Sequence, residues 1–298
     1  MADYKEIIGT RVKAVSANPS NPTDGEVWYN STDAALNYKK ANAAGAWSSG
    51  GNLNTGRSDG ECIGIQTAAL WFGGVRAPGP GAQVIAEQYN GSAWTEVGDL
   101  NAARDNIAGA GTTSAGLAFG GEPTTAANES WNGSAWTETT DMNVAKDYHC
   151  GSGTSTAALA FGGEDPGGLS AKTESWNGSG WTEVGDQNTA RRSAGAATQL
   201  ATTSLIFGGD TVGNGTPTQA CESWNGTAWT EVNDLNTGRG AHPGGIGIAT
   251  AALAFGGDVP SPISAVTTGS VSLYGKISNT KSSIPSLATI SVASGNNF

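Results

Sequence analysis

Ala157-Ala158-Leu159-Ala160-Phe161-Gly162-Gly163 is the stretch of sequence on which the fold of this chain depends. An apolar run that ends in Phe-Gly-Gly occurs five times, at intervals of 42 to 48 residues. The five phenylalanines are Phe72, Phe119, Phe161, Phe207 and Phe255. A recurring period of this length is typical of a tandem array of one supersecondary unit. We number the five units repeat 1 to repeat 5.

Each repeat contains further features in a constant order. The basic residues that open the repeats are Arg57, Arg104, Lys146, Arg191 and Arg239. Four repeats end with an Asn-Gly pair followed by Trp-Thr-Glu, and these pairs begin at Asn90, Asn132, Asn177 and Asn225. Asn-Gly between two aromatic-bearing stretches favours a hairpin, because a turn with positive φ needs Gly or Asn. The pattern therefore predicts four short strands per repeat.

This order of features resembles the kelch repeat, which has a basic residue, an apolar strand ending in two glycines, and an aromatic residue shortly before a tryptophan. The resemblance covers residues 36–277. It implies an all-β protein in which each repeat forms one four-stranded blade of a β-propeller. We therefore expect a single five-bladed kelch-like propeller over residues 36–277. Residues 1–35 would form an N-terminal extended segment and hairpin, and residues 278–298 a C-terminal tail.

Closure of the ring is predicted from the count of outer strands. A further tryptophan stretch precedes the first Phe-Gly-Gly, at Trp47, whereas the repeat that opens at Arg239 has no such tryptophan. We expect the strand with Trp47 to complete the last blade, which removes open sheet edges that invite aggregation. Two stretches are candidates for the third strand of this blade, Leu36–Tyr38 and Ser272–Gly275, and we favour the second.

Composition and charge restrict the classes of function. The 298 residues include 45 glycines, and the formal net charge is -11. This charge argues against a nucleic-acid groove, which requires clustered Lys and Arg. The sequence has no apolar run of 18 residues and no signal peptide, so we expect no membrane insertion. Cys62, Cys150 and Cys221 lie in different repeats without metal-ligand spacing, and we expect them to be buried free thiols.

Residues that carry chemistry are scarce. His149 and His242 occupy nearly equivalent positions of two repeats, but no Cys, Asp or Glu accompanies both at ligand spacing. Asp141, Asp186 and Asp234 recur before Asn-x-x-Arg, where turn formation and charge pairing explain them. We therefore predict no catalytic residue, no cofactor and no metal. The alternative is a carbohydrate-binding or oxidase-like kelch enzyme, which would require His, Tyr or paired carboxylates clustered on one face.

The loops after Phe-Gly-Gly differ most between the repeats. Loops on a rigid scaffold are where binding residues are usually found. The candidate binding residues in these loops are Arg76, Pro78, Pro80, Glu122, Glu164, Asp165, Asp210 and Asp258. The repeated tryptophans, in contrast, are expected to pack between blades.

The N-terminal segment indicates a biological context. Residues 9–22 and 24–30 resemble segments near the start of virion structural and tail-fibre proteins of tailed bacteriophages, including cyanophages. Residues 25–40 are predicted to form a hairpin across Ser31-Thr32-Asp33. The resemblance implies a non-enzymatic virion protein, oligomeric or present in many copies, on a tail fibre or the capsid surface. Its expected partners are virion proteins, bound through the termini, and a host-surface glycan or protein. The alternative for this segment is an ordinary linker.

Overall fold

A computed structural model of the chain describes residues 13–17, 27–32, 35–38, 50–76, 79, 81–211, 216–249, 251–258 and 272–275. The chain divides into two compact parts, Met1–Gly50 and Gly51–Phe298. All regular secondary structure among the described residues consists of β-strands. Every pair of neighbouring strands is antiparallel except β1 with β2, which is parallel. The prediction of an all-β protein is therefore confirmed.

The N-terminal part contains a three-stranded sheet. Its strands are β1 Lys13–Val15, β2 Val27–Asn30 and β3 Ala35–Tyr38. Strands β2 and β3 form an antiparallel hairpin, in which the Thr32 N–H donates to Asn30 Oδ1 at 2.9 Å. This confirms the predicted hairpin. The parallel pairing of β1 with β2 was not predicted, because three residues are too few to show a strand pattern.

Each repeat forms one antiparallel sheet whose strand order follows the sequence. Repeat 1 contains β4 Glu61–Ile65, β5 Ala68–Phe72, a short hairpin of β6 Val75–Arg76 and β7 Gly81–Ala82, β8 Ala86–Tyr89 and β9 Trp94–Glu96. Repeat 2 contains β10 Ala108–Gly111, β11 Gly116–Phe119, β12 Asn128–Trp131 and β13 Trp136–Thr139. Repeat 3 contains β14 Cys150–Thr154, β15 Ala157–Phe161, a short hairpin of β16 Glu164–Asp165 and β17 Gly168–Leu169, β18 Thr173–Trp176 and β19 Trp181–Glu183.

Repeats 4 and 5 continue the same arrangement. Repeat 4 contains β20 Gly195–Leu200, β21 Thr203–Phe207, β22 Cys221–Trp224 and β23 Trp229–Val232. Repeat 5 contains β24 Gly244–Ile248, β25 Ala251–Phe255 and β26 Ser272–Gly275. Because β26 pairs with β25, the third strand of repeat 5 is the one we favoured. Trp47, the predicted fourth strand, lies outside the described residues.

The double glycines lie where neighbouring sheets approach closely. The N–H of the second glycine donates to the carbonyl oxygen of the basic residue that opens the next repeat. These hydrogen bonds run from Gly74 to Arg104 (2.9 Å), Gly121 to Lys146 (2.8 Å), Gly163 to Arg191 (2.8 Å) and Gly209 to Arg239 (2.7 Å). A Cβ on the preceding glycine would lie 2.4 to 2.9 Å from the same oxygen, and both glycines of each pair have positive φ. Only glycine meets both conditions.

The hydrophobic cores lie between consecutive sheets. The phenylalanine of one repeat contacts the outer tryptophan of the next. The ring centroids are 4.9 Å apart for Phe72 and Trp136, 5.0 Å for Phe119 and Trp181, and 5.0 Å for Phe161 and Trp229. All three phenylalanines are fully buried. The predicted packing of tryptophans between sheets is therefore confirmed at these three junctions.

A buried ion pair strengthens the sheets of repeats 1, 2 and 4. It joins the opening arginine to a glutamate in the third strand, at 2.6 Å in each of Arg57–Glu87, Arg104–Glu129 and Arg191–Glu222. The glutamate also accepts hydrogen bonds from the asparagine three residues before the arginine, such as Asn54 in repeat 1. Burial raises the pKa of Glu87, but these hydrogen bonds outweigh burial and hold the pKa below its ordinary value. The Asn-x-x-Arg pattern is therefore structural.

The aspartates before this pattern were predicted to form turns and charge pairs, but two of them accept hydrogen bonds from the third strand of their own repeat. Asp141 and Asp186 accept hydrogen bonds from backbone N–H groups of the third strand, from Asn128 at 3.4 Å and from Thr173 at 3.2 Å.

One prediction about the cysteines is wrong. Cys150 and Cys221 are buried free thiols, but Cys62 is exposed. The residues equivalent to Cys62 in repeats 2 and 3 are Gly109 and Gly151, and both face the preceding repeat. No repeat precedes repeat 1 in the sequence.

Candidate functional site

Five residues, one from each repeat, form a continuous line just before the first strands. They are Asp59, Asn106, Tyr148, Ser193 and His242. Each N–H after the first donates to the backbone carbonyl of the preceding member. The distances are 2.7 Å for Asn106 to Asp59, 3.1 Å for Tyr148 to Asn106, 3.0 Å for Ser193 to Tyr148 and 2.9 Å for His242 to Ser193. We call this line of residues the rim.

The rim has one backbone conformation and five different side chains. All five residues have left-handed φ values, between 46° and 57°. This conformation costs a residue other than glycine about 1 to 2 kcal/mol. The side chains are nevertheless a carboxylate, an amide, a phenol, a hydroxyl and an imidazole. A constant backbone that carries variable polar groups is the arrangement expected of a binding surface on a rigid scaffold.

A cavity of about 260 Å³ is lined by the first strands of all five repeats, and its lining residues do not include those of the rim. Most of the lining residues are Gly or Ala. Glu61 and Ser152 are the polar exceptions among the lining side chains, and Ser152 is hydrogen-bonded to Ser204 at 2.8 Å. Burial raises the pKa of Glu61 to about 7, although the Cys62 N–H donates to the carboxylate.

Backbone bridges bring four of the predicted binding residues next to the rim. In repeats 1 to 4, the residue after Phe-Gly-Gly forms a backbone β-bridge with the residue that directly precedes the rim residue. In repeat 5 the partner lies two residues before the rim residue. The pairs are Val75 with Ser58, Glu122 with Asp105, Glu164 with Asp147, Asp210 with Arg192 and Asp258 with Gly240. The predicted residues Glu122, Glu164, Asp210 and Asp258 are thus all attached to the rim backbone.

The other predicted binding residues lie in the two short hairpins. Arg76 is exposed on β6. Asp165 forms an ion pair with Lys172 at 3.1 Å within repeat 3. Pro78 and Pro80 lie outside the described residues.

Three side chains from repeats 3 to 5 stack at the rim. The rings of Tyr148 and His242 have centroids 5.8 Å apart and planes 20° apart, and the Arg192 guanidinium lies 5.4 Å from the Tyr148 centroid. Burial lowers the pKa of His242, and the charges of Asp59 and Asp210 oppose this only in part. The shift favours the neutral imidazole, which has one nitrogen as a donor and the other as an acceptor.

The two histidines, which are nearly equivalent in the sequence, lie one position apart within their repeats. His242 is a rim residue, whereas His149 follows the rim residue Tyr148 and is buried 5.7 Å from the Phe119 ring. Burial lowers the pKa of His149 to about 3. Repeat 5 has one additional residue before the rim, Ala241, which also has positive φ. This insertion shifts the register by one position.

The sequence analysis missed the rim itself. The signal was present as a position that changes its chemistry in every repeat, two residues before the first strand. Asp59, Asn106, Tyr148, Ser193 and His242 share no residue type. The rim differs in this respect from the neighbouring double glycines, which do not vary.

Neither protein-family models nor curated proteins gave a match to the chain. Among the described residues, no three His, Cys, Asp or Glu side chains are grouped as metal ligands. The same residues include no helix long and apolar enough to cross a membrane. The chemistry of the rim is that of hydrogen bonding, charge pairing and ring stacking.

Proposed function

We propose that the chain is a non-enzymatic virion structural protein of a tailed phage, and that it presents the rim and the adjoining loops to a binding partner. The rim carries this proposal, because five repeats hold one left-handed backbone and yet carry five different side chains. Asp59 and His242 are exposed and Tyr148 is partly exposed, whereas Asn106 and Ser193 are buried. If stability alone were selected, glycine would be favoured at each of these positions.

The proposed architecture is a closed five-bladed kelch-like propeller. A fifth junction would join repeat 5 to repeat 1, and repeat 5 carries exposed apolar side chains that could pack there. Phe255 is 37% exposed, whereas its four equivalents are buried, and Ile246 is 62% exposed against 6% for its equivalent Ile63. In a closed ring Phe255 would contact Trp94 of repeat 1, as Phe72 contacts Trp136. The charge of Asp59 in repeat 1 acts on His242 in repeat 5, which also supports closure.

The N-terminal segment supports the assignment to a virion. Residues 9–22 and 24–30 resemble the start of tail-fibre and other virion proteins of tailed phages. We propose that residues 1–35 attach the protein to other virion proteins, in several copies per particle. The rim would then be available for contact with a host-surface glycan or protein.

Adsorption to host cells tests the proposal. Purified protein with Tyr148→Ser and His242→Ser should lose most of its binding to the cells that the phage infects. Thr156→Ala is a matched control, because Thr156 is exposed at the turn between β14 and β15, at the other end of these strands. The control should bind like the unaltered protein. Equal binding by the rim variant, or absence of the chain from purified particles, would refute the proposal.

A further inference from the structure

The junctions between consecutive repeats differ in charge at one equivalent position beside the rim. Between repeats 3 and 4, the Glu164 carboxylate is paired with the Arg192 guanidinium. Between repeats 2 and 3, the equivalent residues are Glu122, which follows Phe-Gly-Gly, and Asp147, which precedes the rim. Two carboxyl groups therefore meet where the next junction has an ion pair.

Several negative groups surround this pair of carboxyls. A hydrogen bond with Asp147 raises the pKa of Glu122, and burial and the nearby carboxylates raise it further. Those carboxylates include Asp105 and Glu164. The cation nearby, Arg192, is already paired with Glu164 and lies over Tyr148. Two adjacent carboxyls of this kind must share a proton or bind a cation.

The carboxylate oxygens at this junction have few hydrogen-bond donors around them. Asp147 is 3% exposed, and the Thr124 hydroxyl donates to its Oδ2 at 2.5 Å. Asp147 Oδ1 is buried and accepts from no N–H or hydroxyl group among the described residues, so this oxygen has no donor when Glu122 is ionised. Its neighbour Glu122 is an acceptor when ionised. A buried acceptor without a donor destabilises the protein, so a ligand with N–H groups would be bound favourably.

A neutral side chain provides independent evidence for the same ligand chemistry. Asn106 is 9% exposed, and its Nδ2 donates to Asp105 Oδ1 at 2.5 Å. Its Oδ1 is buried without a donor among the described residues. Asn106 precedes Tyr148 along the rim, and Tyr148 adjoins Asp147. Two buried oxygen acceptors, one from repeat 2 and one from repeat 3, therefore lie on segments joined by the hydrogen bond from the Tyr148 N–H to the Asn106 carbonyl.

We propose that the junction of repeats 2 and 3 binds an N–H-donating organic cation, a guanidinium or primary ammonium group, between Glu122 and Asp147. Arg192 shows that a guanidinium fits the equivalent place one junction further on. A guanidinium offers several donors together with its charge, whereas the described residues contain no grouping of three metal ligands. The inference rests on the proposed function, since it names the chemistry that the rim recognises. An Arg or Lys side chain of a protein and a free amine share this chemistry.

Isothermal titration calorimetry at pH 7.5 tests the inference with four probes. They are acetyl-Gly-Arg-Gly-amide, the same peptide with neutral citrulline, putrescine and calcium chloride. We expect the arginine peptide to bind and the citrulline peptide not to bind. Binding of the peptide but not putrescine supports a protein partner, and binding of both supports free amines as well.

Variants identify the site. Asp147→Asn should weaken arginine-peptide binding at least tenfold, and Asp147→Arg should abolish it, because the new guanidinium occupies the place of the ligand. Glu183→Gln is the control, since it removes one negative charge from an exposed position on β19, and it should bind normally. If Asp147→Asn does not fold, Asp147→Arg and Glu122→Gln provide the test, because Glu122 is exposed.

Several results would overturn the inference. They are no binding of either cationic organic probe at millimolar concentration, equal binding of the citrulline peptide, normal binding by Asp147→Arg, or binding of calcium alone. The proposed function fails separately. Absence of the chain from virions would leave a positive peptide result valid, and rim-dependent adsorption to host cells would stand if no cation bound.

Discussion

Phe72 of repeat 1 packs edge-on against Trp136 of repeat 2, with ring centroids 4.9 Å apart and an interplanar angle of 62°. Two further junctions repeat this contact between a phenylalanine and the outer tryptophan of the next repeat. The contact is therefore the basic element of packing between sheets, and it defines what a closed ring must contain at its last junction.

Replacement of Phe255 tests ring closure. In a closed ring Phe255 contacts Trp94, so Phe255→Ala should lower the free energy of unfolding by about 3 kcal/mol, as expected for a buried phenylalanine. Phe72→Ala is the matched control, since Phe72 is fully buried. Urea unfolding of both variants gives the comparison. A cost below about 1 kcal/mol for Phe255→Ala alone would indicate an open junction.

Lys146 is the one lysine among the five opening residues, and its replacement by arginine should stabilise the protein. Its Nζ donates to the Lys172 carbonyl at 2.6 Å, whereas the equivalent Arg104 and Arg191 reach a glutamate. Lys146→Arg should extend this pairing to Glu174 and add about 1 kcal/mol to the free energy of unfolding. Arg104→Lys should have the opposite effect.

The pH dependence provides a second check on Lys146. Burial lowers the pKa of Lys146 to about 8, so the folded state favours the neutral amine. The unaltered protein should therefore gain stability from Lys146 as the pH rises from about 8 towards the ordinary lysine value of about 10.4. The advantage of Lys146→Arg should be greater at pH 7 than at pH 9.5. If Lys146→Arg raised the free energy of unfolding equally at pH 7 and pH 9.5, the pKa of the Lys146 amine would not be lowered by burial.

Glu61 should make the protein less stable at alkaline pH. Burial raises its pKa to about 7, so the folded state favours the protonated acid. The contribution is complete below the unfolded value and is lost as the pH rises through 7. Glu61→Gln removes this dependence, and its advantage in unfolding free energy should grow by about 2 to 3 kcal/mol between pH 5 and pH 8. A constant difference in urea unfolding would show that the carboxyl is well solvated.

Local sequence patterns predicted most of the sheets. In each repeat, Phe-Gly-Gly marked the end of the second strand. The stretch around Tyr274 was correctly preferred as the third strand of repeat 5. These features depend on turn chemistry and on apolar runs within one repeat. Cys62 was misjudged because its exposure depends on which sheet covers it.

The rim could not be predicted in the same way. Its geometry depends on hydrogen bonds between repeats, such as that from the Asn106 N–H to the Asp59 carbonyl at 2.7 Å. No local pattern indicates a left-handed tyrosine or serine, because these residue types rarely adopt that conformation. The loops with Glu122 and Glu164 were found because their sequences vary, but their attachment to the rim follows from strand pairing over long distances along the chain.

Two N-terminal truncations separate attachment from folding. Deletion of residues 1–30 should leave a soluble, folded ring that no longer enters virions. Deletion of residues 1–50 should also remove the stretch around Trp47 that we predict to be the closing strand, and should thereby expose a sheet edge and cause aggregation. Size-exclusion chromatography and particle assembly measure the two outcomes. Identical behaviour of the two proteins, or assembly of the shorter deletion, would contradict the proposed roles of these segments.

Cryo-electron microscopy of the intact phage particle is the sharpest test of the proposed function. We predict repeated copies of a closed ring of five sheets, with residues 1–35 against the particle and the rim facing outward. A particle without this chain, or a ring whose rim is buried against the particle while residues 1–35 face solvent, would contradict the proposed function.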